Sequence, residues 1–342
     1  MEIRGDPAPL SERVLTLGAA DFTISKNGTL VYVPVSGSAS RSLVWVTRQG
    51  LEEPTAAPPR GYAYARIAPD GQHAVLQIVE GSSDIWTWDF TRQVIARLTF
   101  GPLQSYGPLW APDGRFILFA SVSDGSDSPR ESNLSRRRAD GTGASEALAK
   151  GGRINAISSD GTRLVFEAQT AAGDFDFMLL HFEGTPRIEP LLQTPFDERN
   201  AALSPDGRWM AYESNESGQS QIYVRPFPNV GDGRYQISTS GGRSPVWSPT
   251  GHEVFFVNGS NVMAGSVQLS PTFIPATATK LFDAGSLLLD ARFIGQGTNR
   301  TYDVAPDGRR FLMIKANSTD GARLVLVQNW FEELNVMAPT RK

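Results

Sequence analysis

The sequence has 342 residues, no cysteine, three histidines and a net charge of −4, with 33 glycines and 23 prolines. These counts exclude a disulfide-stabilised domain, a thiolate metal site and a cysteine nucleophile, and the negative net charge argues against nucleic acid as a partner. No apolar run in the sequence reaches the roughly 18 residues that a membrane helix needs, and residues 1–10 lack a signal-peptide pattern. We therefore expect no membrane insertion and, for the chain as written, a cytoplasmic location.

In chain order, the first predicted element is a short strand at Arg13–Leu17, and seven related turn motifs follow it. Four motifs read Ala/Ser-Pro-Asp-Gly, and the other three are degenerate copies. Pro sets φ at the first corner of a turn, Asp accepts hydrogen bonds from nearby backbone amides, and Gly supplies a positive φ, so each motif predicts a tight turn in which the aspartate is structural. The motifs occupy residues 25–28, 68–71, 111–114, 158–161, 204–207, 248–251 and 305–308.

The final glycines of these motifs, which we call the anchor glycines, are spaced 43, 43, 47, 46, 44 and 57 residues apart. A period in this range is typical of four-stranded propeller blades. Short aromatic or β-branched segments follow each motif, such as Met210–Tyr212 and Ile222–Val224, and polar turns separate them. We predict an all-β propeller in one domain over residues 1–342. It has seven blades, or six if the Asn27-Gly28 unit or another degenerate copy falls outside the ring.

The two ends of the chain are predicted to complete this domain. The last blade, from Tyr302 to Val327, contains only three clear strands. A strand within residues 11–18 is expected to supply the fourth and to close the ring, which removes an unpaired sheet edge. In the tail, residues 329–342, Asn329 is positioned to cap a short helix that begins at Trp330.

The segment Ser204–Ser214 resembles the repeat of TolB-type, WD-repeat-like β-propellers. With residues 214–228, 245–248, 302–314 and 329–334, the chain is most similar to the propeller at the C-terminal end of certain bacterial, Acidobacteria-like serine/threonine protein kinases. The resemblance spans essentially the whole chain and is specific for fold but not for function. It implies an accessory sensing or interaction module, located in the periplasm or outside the cell if the chain is the tail of a membrane-anchored kinase.

Motifs for catalysis and metal binding are absent from the sequence. There is no Gly-rich kinase loop, His-Arg-Asp or Asp-Phe-Gly motif, and no Gly-x-Ser-x-Gly nucleophile elbow. The fragments Asp124–Asp127 and Asp174–Asp176 do not continue with the spacing of a calcium loop. We therefore predict no catalytic residue, no metal and no cofactor.

The remaining candidate site is one mouth of the propeller channel. Inner strands line such a channel, and the loops that enter them surround one mouth. Tyrosine, arginine and asparagine at this position form the kind of surface that contacts peptides and polar ligands. The candidates are Tyr64, Tyr106, Asn155, Arg199, Asn200, Arg243, Arg300 and Tyr302.

The sequence thus predicts a monomeric, non-catalytic binding or sensor propeller that recognises a protein, a peptide or a small polar ligand at this mouth. The resemblance implies that it is the sensory module of a bacterial signalling kinase. One alternative is a TolB-like protein-docking scaffold. A second is a propeller hydrolase or lyase that uses Arg, Tyr and Asp side chains at the mouth, for which the sequence offers no motif.

Overall fold

The computed structural model describes residues 22–32, 40–123, 129–269, 272–287, 300–317, 325–328 and 330. The chain divides into two compact units. One consists of residues 1–39 together with 317–342, and the other of residues 40–316. The predicted closing strand at 11–18 lies outside the described residues, as does the predicted tail helix except for Trp330.

Strands and short 3-10 turns account for all regular structure within these ranges, apart from the single helical residue Trp330. The 3-10 turns are Pro129–Glu131, Val230–Asp232 and Gly285–Leu287. The strands are β1 (Phe22–Ile24), β2 (Leu30–Tyr32), β3 (Arg41–Thr47), β4 (Glu52–Pro54), β5 (Tyr62–Ile67), β6 (His73–Glu80), β7 (Ser82–Asp89), β8 (Val94–Arg97), β9 (Leu103–Trp110), β10 (Phe116–Ser123), β11 (Asn133–Arg138), β12 (Glu146–Lys150), β13 (Arg153–Ile157), β14 (Arg163–Gln169), β15 (Phe175–His181), β16 (Arg187–Leu192), β17 (Glu198–Leu203), β18 (Trp209–Ser214), β19 (Gln221–Pro226), β20 (Tyr235–Gln236), β21 (Arg243–Trp247), β22 (Glu253–Asn258), β23 (Asn261–Gln268), β24 (Ile274–Pro275), β25 (Thr279–Asp283), β26 (Tyr302–Val304), β27 (Arg310–Ala316) and β28 (Val325–Val327).

Six antiparallel sheets in the unit 40–316 form the blades of a propeller. Blades 1 to 4 are β5–β8, β9–β12, β13–β16 and β17–β20, and blade 5 is β21–β24 with β25 added beside β23. Blade 6 has the order β26-β27-β3-β4. The first strand of every blade contacts the first strands of both neighbouring blades, from β5 through β9, β13, β17 and β21 to β26 and back to β5. These six inner strands therefore surround the centre of a closed ring.

The predicted all-β propeller of four-stranded blades is confirmed, and the number of sheets agrees with the seven motifs. Six of the seven sheets belong to the ring of the unit 40–316. The seventh is the three-stranded sheet β1-β2-β28 of the other unit, and it contains the Asn27-Gly28 turn. In that unit Trp330 is buried, packs with Leu30 and Val327, and donates its backbone N–H to the carbonyl of Gly28 at 2.7 Å.

An N-terminal strand closes the ring, as predicted, but this strand is β3. It pairs antiparallel with β27 along its whole length, from Arg41 opposite Ala316 to Thr47 opposite Arg310. Strand β4 then completes blade 6. The closing pair combines the two ends of the unit 40–316, so hydrogen bonds continue across the point where the chain enters and leaves the ring.

The repeated turn motifs have the local structure that their residues predict. In all seven, the anchor glycine donates its N–H to the carbonyl three residues earlier, and its φ lies between 67° and 80°. Five of the motifs contain an aspartate, and each aspartate accepts a hydrogen bond from the backbone N–H two residues later. The structural role predicted for these aspartates is confirmed. They are Asp70, Asp113, Asp160, Asp206 and Asp307.

Aromatic side chains fill the space between adjacent blades. The rings of Phe255 in blade 5 and Phe311 in blade 6 meet edge to face, with centroids 5.1 Å apart. Trp247 in blade 5 donates its indole N–H to the carbonyl of Ala202 in blade 4 at 3.1 Å, and Trp110 makes the equivalent bond to Arg66. Both tryptophans are buried and link adjacent blades.

No helix in the described part of the chain is long and apolar enough to span a membrane.

Candidate functional site

The mouth, as defined here, is the end of the ring at which the six inner strands begin. Each inner strand runs from the mouth to an anchor turn, so the anchor turns lie at the opposite end. The eight predicted site residues all lie on the inner strands or directly before one. They are Tyr64 on β5, Tyr106 on β9, Asn155 on β13, Arg199 and Asn200 on β17, Arg243 on β21, and Arg300 and Tyr302 at the start of β26.

Only the arginines among these eight residues are accessible. Arg243 is exposed, and Arg199 and Arg300 are half-buried. The tyrosines and asparagines are buried, and Tyr302, Asn155 and Asn200 form side-chain hydrogen bonds within the protein. The hydroxyl of Tyr302 donates to the carbonyl of Ser244 at 2.8 Å, and the side-chain oxygen of Asn155 accepts the N–H of Ala201 at 2.6 Å. Both bonds join neighbouring blades, so these side chains hold the ring together and do not line its surface.

A recurrent β-bulge explains why these side chains turn inward. The inner strands of blades 1 to 5 each lose register with the second strand at this point. In blades 2, 4 and 5 a bulge residue has a positive φ: Gly107 at 59°, Asn200 at 57° and Ser244 at 55°. A bulge leaves backbone groups unpaired in its own sheet, and these N–H groups are then free to bond to the preceding blade.

Side chains on the second strands accept those N–H groups. Gln77 accepts from Gly107 at 3.1 Å, Glu167 from Asn200 at 2.7 Å, and Glu213 from Ser244 at 3.3 Å. Each acceptor belongs to the blade that precedes its donor. We call these three contacts the blade staples.

Burial has the largest effect on the pKa values of the two glutamates that take part in the blade staples. It raises the pKa of Glu167 and of Glu213, although hydrogen bonds and nearby arginines act in the opposite direction. Glu213 also accepts a bond from the side-chain nitrogen of Asn200 at 2.9 Å. Both carboxylates are engaged by protein donors.

Another buried pair of acids lies next to the mouth in blades 3 and 4. The pKa of Glu198 is raised to about 7, chiefly by burial and also by the charges of Asp176 and Asp197, while hydrogen bonds from Thr194 and Ser214 act in the opposite direction. One carboxyl oxygen of Glu198 and one of Asp176 are buried without a hydrogen-bond partner. Across the described ranges, no group of three or more His, Asp or Glu side chains is arranged to hold a metal ion.

Four arginines share one position on four consecutive inner strands. Each lies eight residues before an anchor glycine, in blades 3, 4, 5 and 6. The equivalent residues in blades 1 and 2 are Ala63 and Tyr106, so arginine occupies this position on only one side of the mouth. We call this set the arginine arc, and its members are Arg153, Arg199, Arg243 and Arg300.

The residues predicted from the sequence include three members of the arc, Arg199, Arg243 and Arg300, but not Arg153. The prediction selected Asn155 in blade 3, two residues further along the strand. The constant spacing to the anchor glycine was the signal that identifies Arg153.

An aromatic ring and a carboxylate position the first two arc residues. The guanidinium groups of Arg153 and Arg199 lie 4.6 and 4.4 Å from the centroid of the same ring, that of Phe175. Cation–π contacts of this kind hold a charged group in place without neutralising it. Asp197 accepts a bond from Nε of Arg199 at 2.6 Å, whereas Nε of Arg153 is buried without a hydrogen-bond partner. Burial and the charge of Arg199 lower the pKa of Arg153.

Of the other two arc residues, one is again paired with an aspartate and the other is not. Arg300 forms an ion pair with Asp303 and donates Nε to the carbonyl of Tyr302 at 3.2 Å. Within the described ranges, the exposed guanidinium of Arg243 has no hydrogen bond or ion pair. Arg199 and Arg300 are thus paired with aspartates, while Arg153 and Arg243 have unused donor groups.

Two clefts lie between blades and away from the arc residues. One of about 380 Å³ separates blades 2 and 3 near the anchor turns and is lined by Phe116, Arg136 and Phe182 among others. The other, of about 290 Å³, separates blades 4 and 5. Neither cleft contains a predicted site residue or an arc residue.

The chain matches no protein-family model and no curated protein sequence. Among solved structures it is similar to a putative TolB from Agrobacterium tumefaciens, with a TM-score of 0.65 and 18% identity over 83% of this chain and 100% of that chain. A nidogen/laminin complex gives a TM-score of 0.50 and 11% identity, over 69% and 93% of the two chains. An oligogalacturonate lyase in complex with manganese has a TM-score of 0.47 at 12% identity, over 86% and 95%. At such identities the similarity shows the fold, a β-propeller like that of the putative TolB.

Proposed function

We propose that the protein is a non-catalytic docking propeller that binds a segment of a partner protein at its mouth. The proposal rests on one observation: some polar groups of the inner strands bond within the ring, and others are accessible to a ligand. Buried acids, amides and hydroxyls bond between blades and keep the ring rigid. The accessible members of the eight predicted site residues are arginines, a residue type favoured at protein interfaces.

The alternative of a hydrolase or lyase is disfavoured by the same contacts. A general base must reach the substrate proton, yet Glu167 and Glu213 are buried and accept bonds from backbone N–H groups of the next blade. The hydroxyl of Tyr302 is buried and donates to a carbonyl. Asp197 and Asp303 are paired with arc residues.

A sensory role beside a kinase is a narrower form of this proposal. Binding at the mouth would work in the same way in a kinase-linked chain. The similar structures described above lend that narrower form no support, and we therefore favour a docking scaffold.

Selection from a random peptide library on the immobilised protein tests the proposal, with photo-crosslinking to locate the bound peptides. Benzoylphenylalanine replaces Phe196, which is 38% exposed in the loop that enters β17 at the mouth. The matched control replaces Val94, 54% exposed after the turn between β7 and β8 at the opposite end. We expect selected peptides to crosslink from position 196 and not from position 94. Crosslinking from position 94 alone, or failure to select any binding peptide, would overturn the proposal.

A further inference from the structure

We infer that the arginine arc recognises an acidic peptide segment, whose carboxylates accept hydrogen bonds from the guanidinium groups of blades 3 to 6. This inference rests on the proposed docking function and names the chemistry of the partner.

The inference rests on which hydrogen-bond donors and acceptors at the mouth are already paired within the protein. Two acids beside the arc, Asp197 and Asp303, already pair with Arg199 and Arg300. Arg153 and Arg243 keep unused N–H groups, and Arg153 is half-buried. A partly desolvated guanidinium without an acceptor is costly unless a ligand supplies one. Carboxylates fit the planar donor fork of arginine and can bind it through two parallel bonds.

The arrangement favours several carboxylates over a single small anion. The four arginines lie on or just before four successive inner strands, so a ligand that reaches all four must extend along the rim. An extended peptide with repeated Asp or Glu residues has this form. Ala63 and Tyr106 take the equivalent places on the other side of the mouth, so the arc itself spans one side only.

An apolar neighbour adds to this specificity. Phe196 is exposed three residues before Arg199 in the loop that enters blade 4. An aliphatic residue of the peptide beside its acidic residues would bury part of this ring. Single-stranded nucleic acid is a poorer fit, because its binding uses a series of accessible aromatic rings for base stacking. Phe175, the ring between Arg153 and Arg199, is buried, and Phe100, which is exposed like Phe196, lies in the loop that enters blade 2, where the arc has no member.

Fluorescence anisotropy with a labelled Glu- and Leu-containing peptide tests the inference. We expect Arg243→Ala to weaken binding about tenfold, the effect of losing a hydrogen bond between charged groups, and Arg243→Glu to weaken it further. Arg243 is exposed, so neither change should unfold the ring. Arg153→Ala should weaken binding similarly, with thermal unfolding as the check on its fold. The matched control is Arg92→Ala, an 83% exposed arginine in the turn between β7 and β8, which should leave binding unchanged.

Three further measurements test whether the arginine arc recognises the carboxylates of the peptide. Replacing each Glu of the peptide by Gln should abolish binding, and raising NaCl from about 0.05 M to about 0.5 M should weaken it. An oligodeoxythymidine should not compete. Equal binding of the Gln peptide, insensitivity to both Arg243 variants, or competition by the oligonucleotide would each overturn the inference. If the library yields non-acidic peptides that crosslink at position 196, the docking function stands and the acidic-segment inference falls.

Discussion

Glu213 on β18 accepts a hydrogen bond from the backbone nitrogen of Ser244 on β21, 3.3 Å away in the next blade. Ser244 has a φ of 55° in the β-bulge of its strand, and its N–H therefore finds no partner within its own sheet at this point. The same carboxylate binds the side-chain amide of Asn200. One buried side chain thus satisfies two donors and joins blades 4 and 5.

We expect Glu213→Ala to lower the free energy of unfolding by about 2–4 kcal/mol, because two buried donors lose their acceptor and a small cavity remains. Glu213→Gln keeps an acceptor oxygen and should cost less. The measurement is urea unfolding followed by tryptophan fluorescence.

Glu53→Ala is the matched control for the staple. Glu53 is exposed on β4, and its removal should change the free energy of unfolding by less than about 0.5 kcal/mol. Equal losses from the Glu213 and Glu53 variants would show that the staple contributes nothing.

The pH dependence of stability should contain a contribution from Glu198. Its pKa rises from 4.5 to about 7 on folding. An acid with a raised pKa stabilises the fold fully below its unfolded pKa, and this contribution disappears as the pH rises through the folded pKa. The wild-type protein should therefore lose stability relative to Glu198→Gln between pH 5 and pH 8. We expect a relative loss of about 1–2 kcal/mol across this pH range.

Urea midpoints of both proteins at several pH values measure this difference directly. Other titrating groups are common to the two proteins and cancel in the comparison. A difference that stays constant from pH 5 to pH 8 would contradict the raised pKa.

The closing pair of strands can be tested with a cross-strand disulfide. Ser42 on β3 lies opposite Lys315 on β27, and the absence of native cysteine makes the double variant Ser42→Cys/Lys315→Cys free of competing thiols. Oxidation should raise the free energy of unfolding by about 2–4 kcal/mol relative to the reduced form, because it fixes the two ends of the ring. Identical unfolding of the oxidised and reduced forms would argue against this closure.

Anchor glycines should tolerate a side chain poorly because of their backbone conformation. Gly251 has a φ of 76°, and a Cβ built there meets its neighbours only at ordinary van der Waals distances. Gly251→Ala should therefore cost about 1–2 kcal/mol from backbone strain alone. Gly231 has no positive φ and open space around it, so Gly231→Ala should be nearly neutral. Thermal unfolding of the two variants gives the comparison, and equal melting temperatures would refute the strain argument.

The repeated turns could be predicted because their information is local. Asp206 and Gly207 determine their turn through bonds within a few residues, so the sequence indicates both the turn and its period. The closing strand could not be placed in the same way. Arg13–Leu17 and Arg41–Thr47 are both short segments with apolar residues, and only the register against β27 identifies the second as the partner.

The buried contacts inside the mouth could not be predicted from the sequence for a related reason. Whether Asn200 points to solvent or into the protein depends on a bulge that shifts its strand relative to β18. Glu167 and Glu213 lie on second strands, and their partners come from the next blade. Such contacts depend on sheet register and blade order, which a single sequence does not specify, whereas the arc could be read from spacing alone.

The antiparallel pairing of Ala316 with Arg41 has a consequence for the order of the chain. Two strand ends that face each other can be joined by a short hairpin loop, which would make the backbone of the six blades a continuous circle. New termini could then be opened in an exposed loop such as residues 183–186 between β15 and β16. A circularly permuted ring of this kind would keep every blade and both faces of the propeller, since the ring itself has no preferred starting blade.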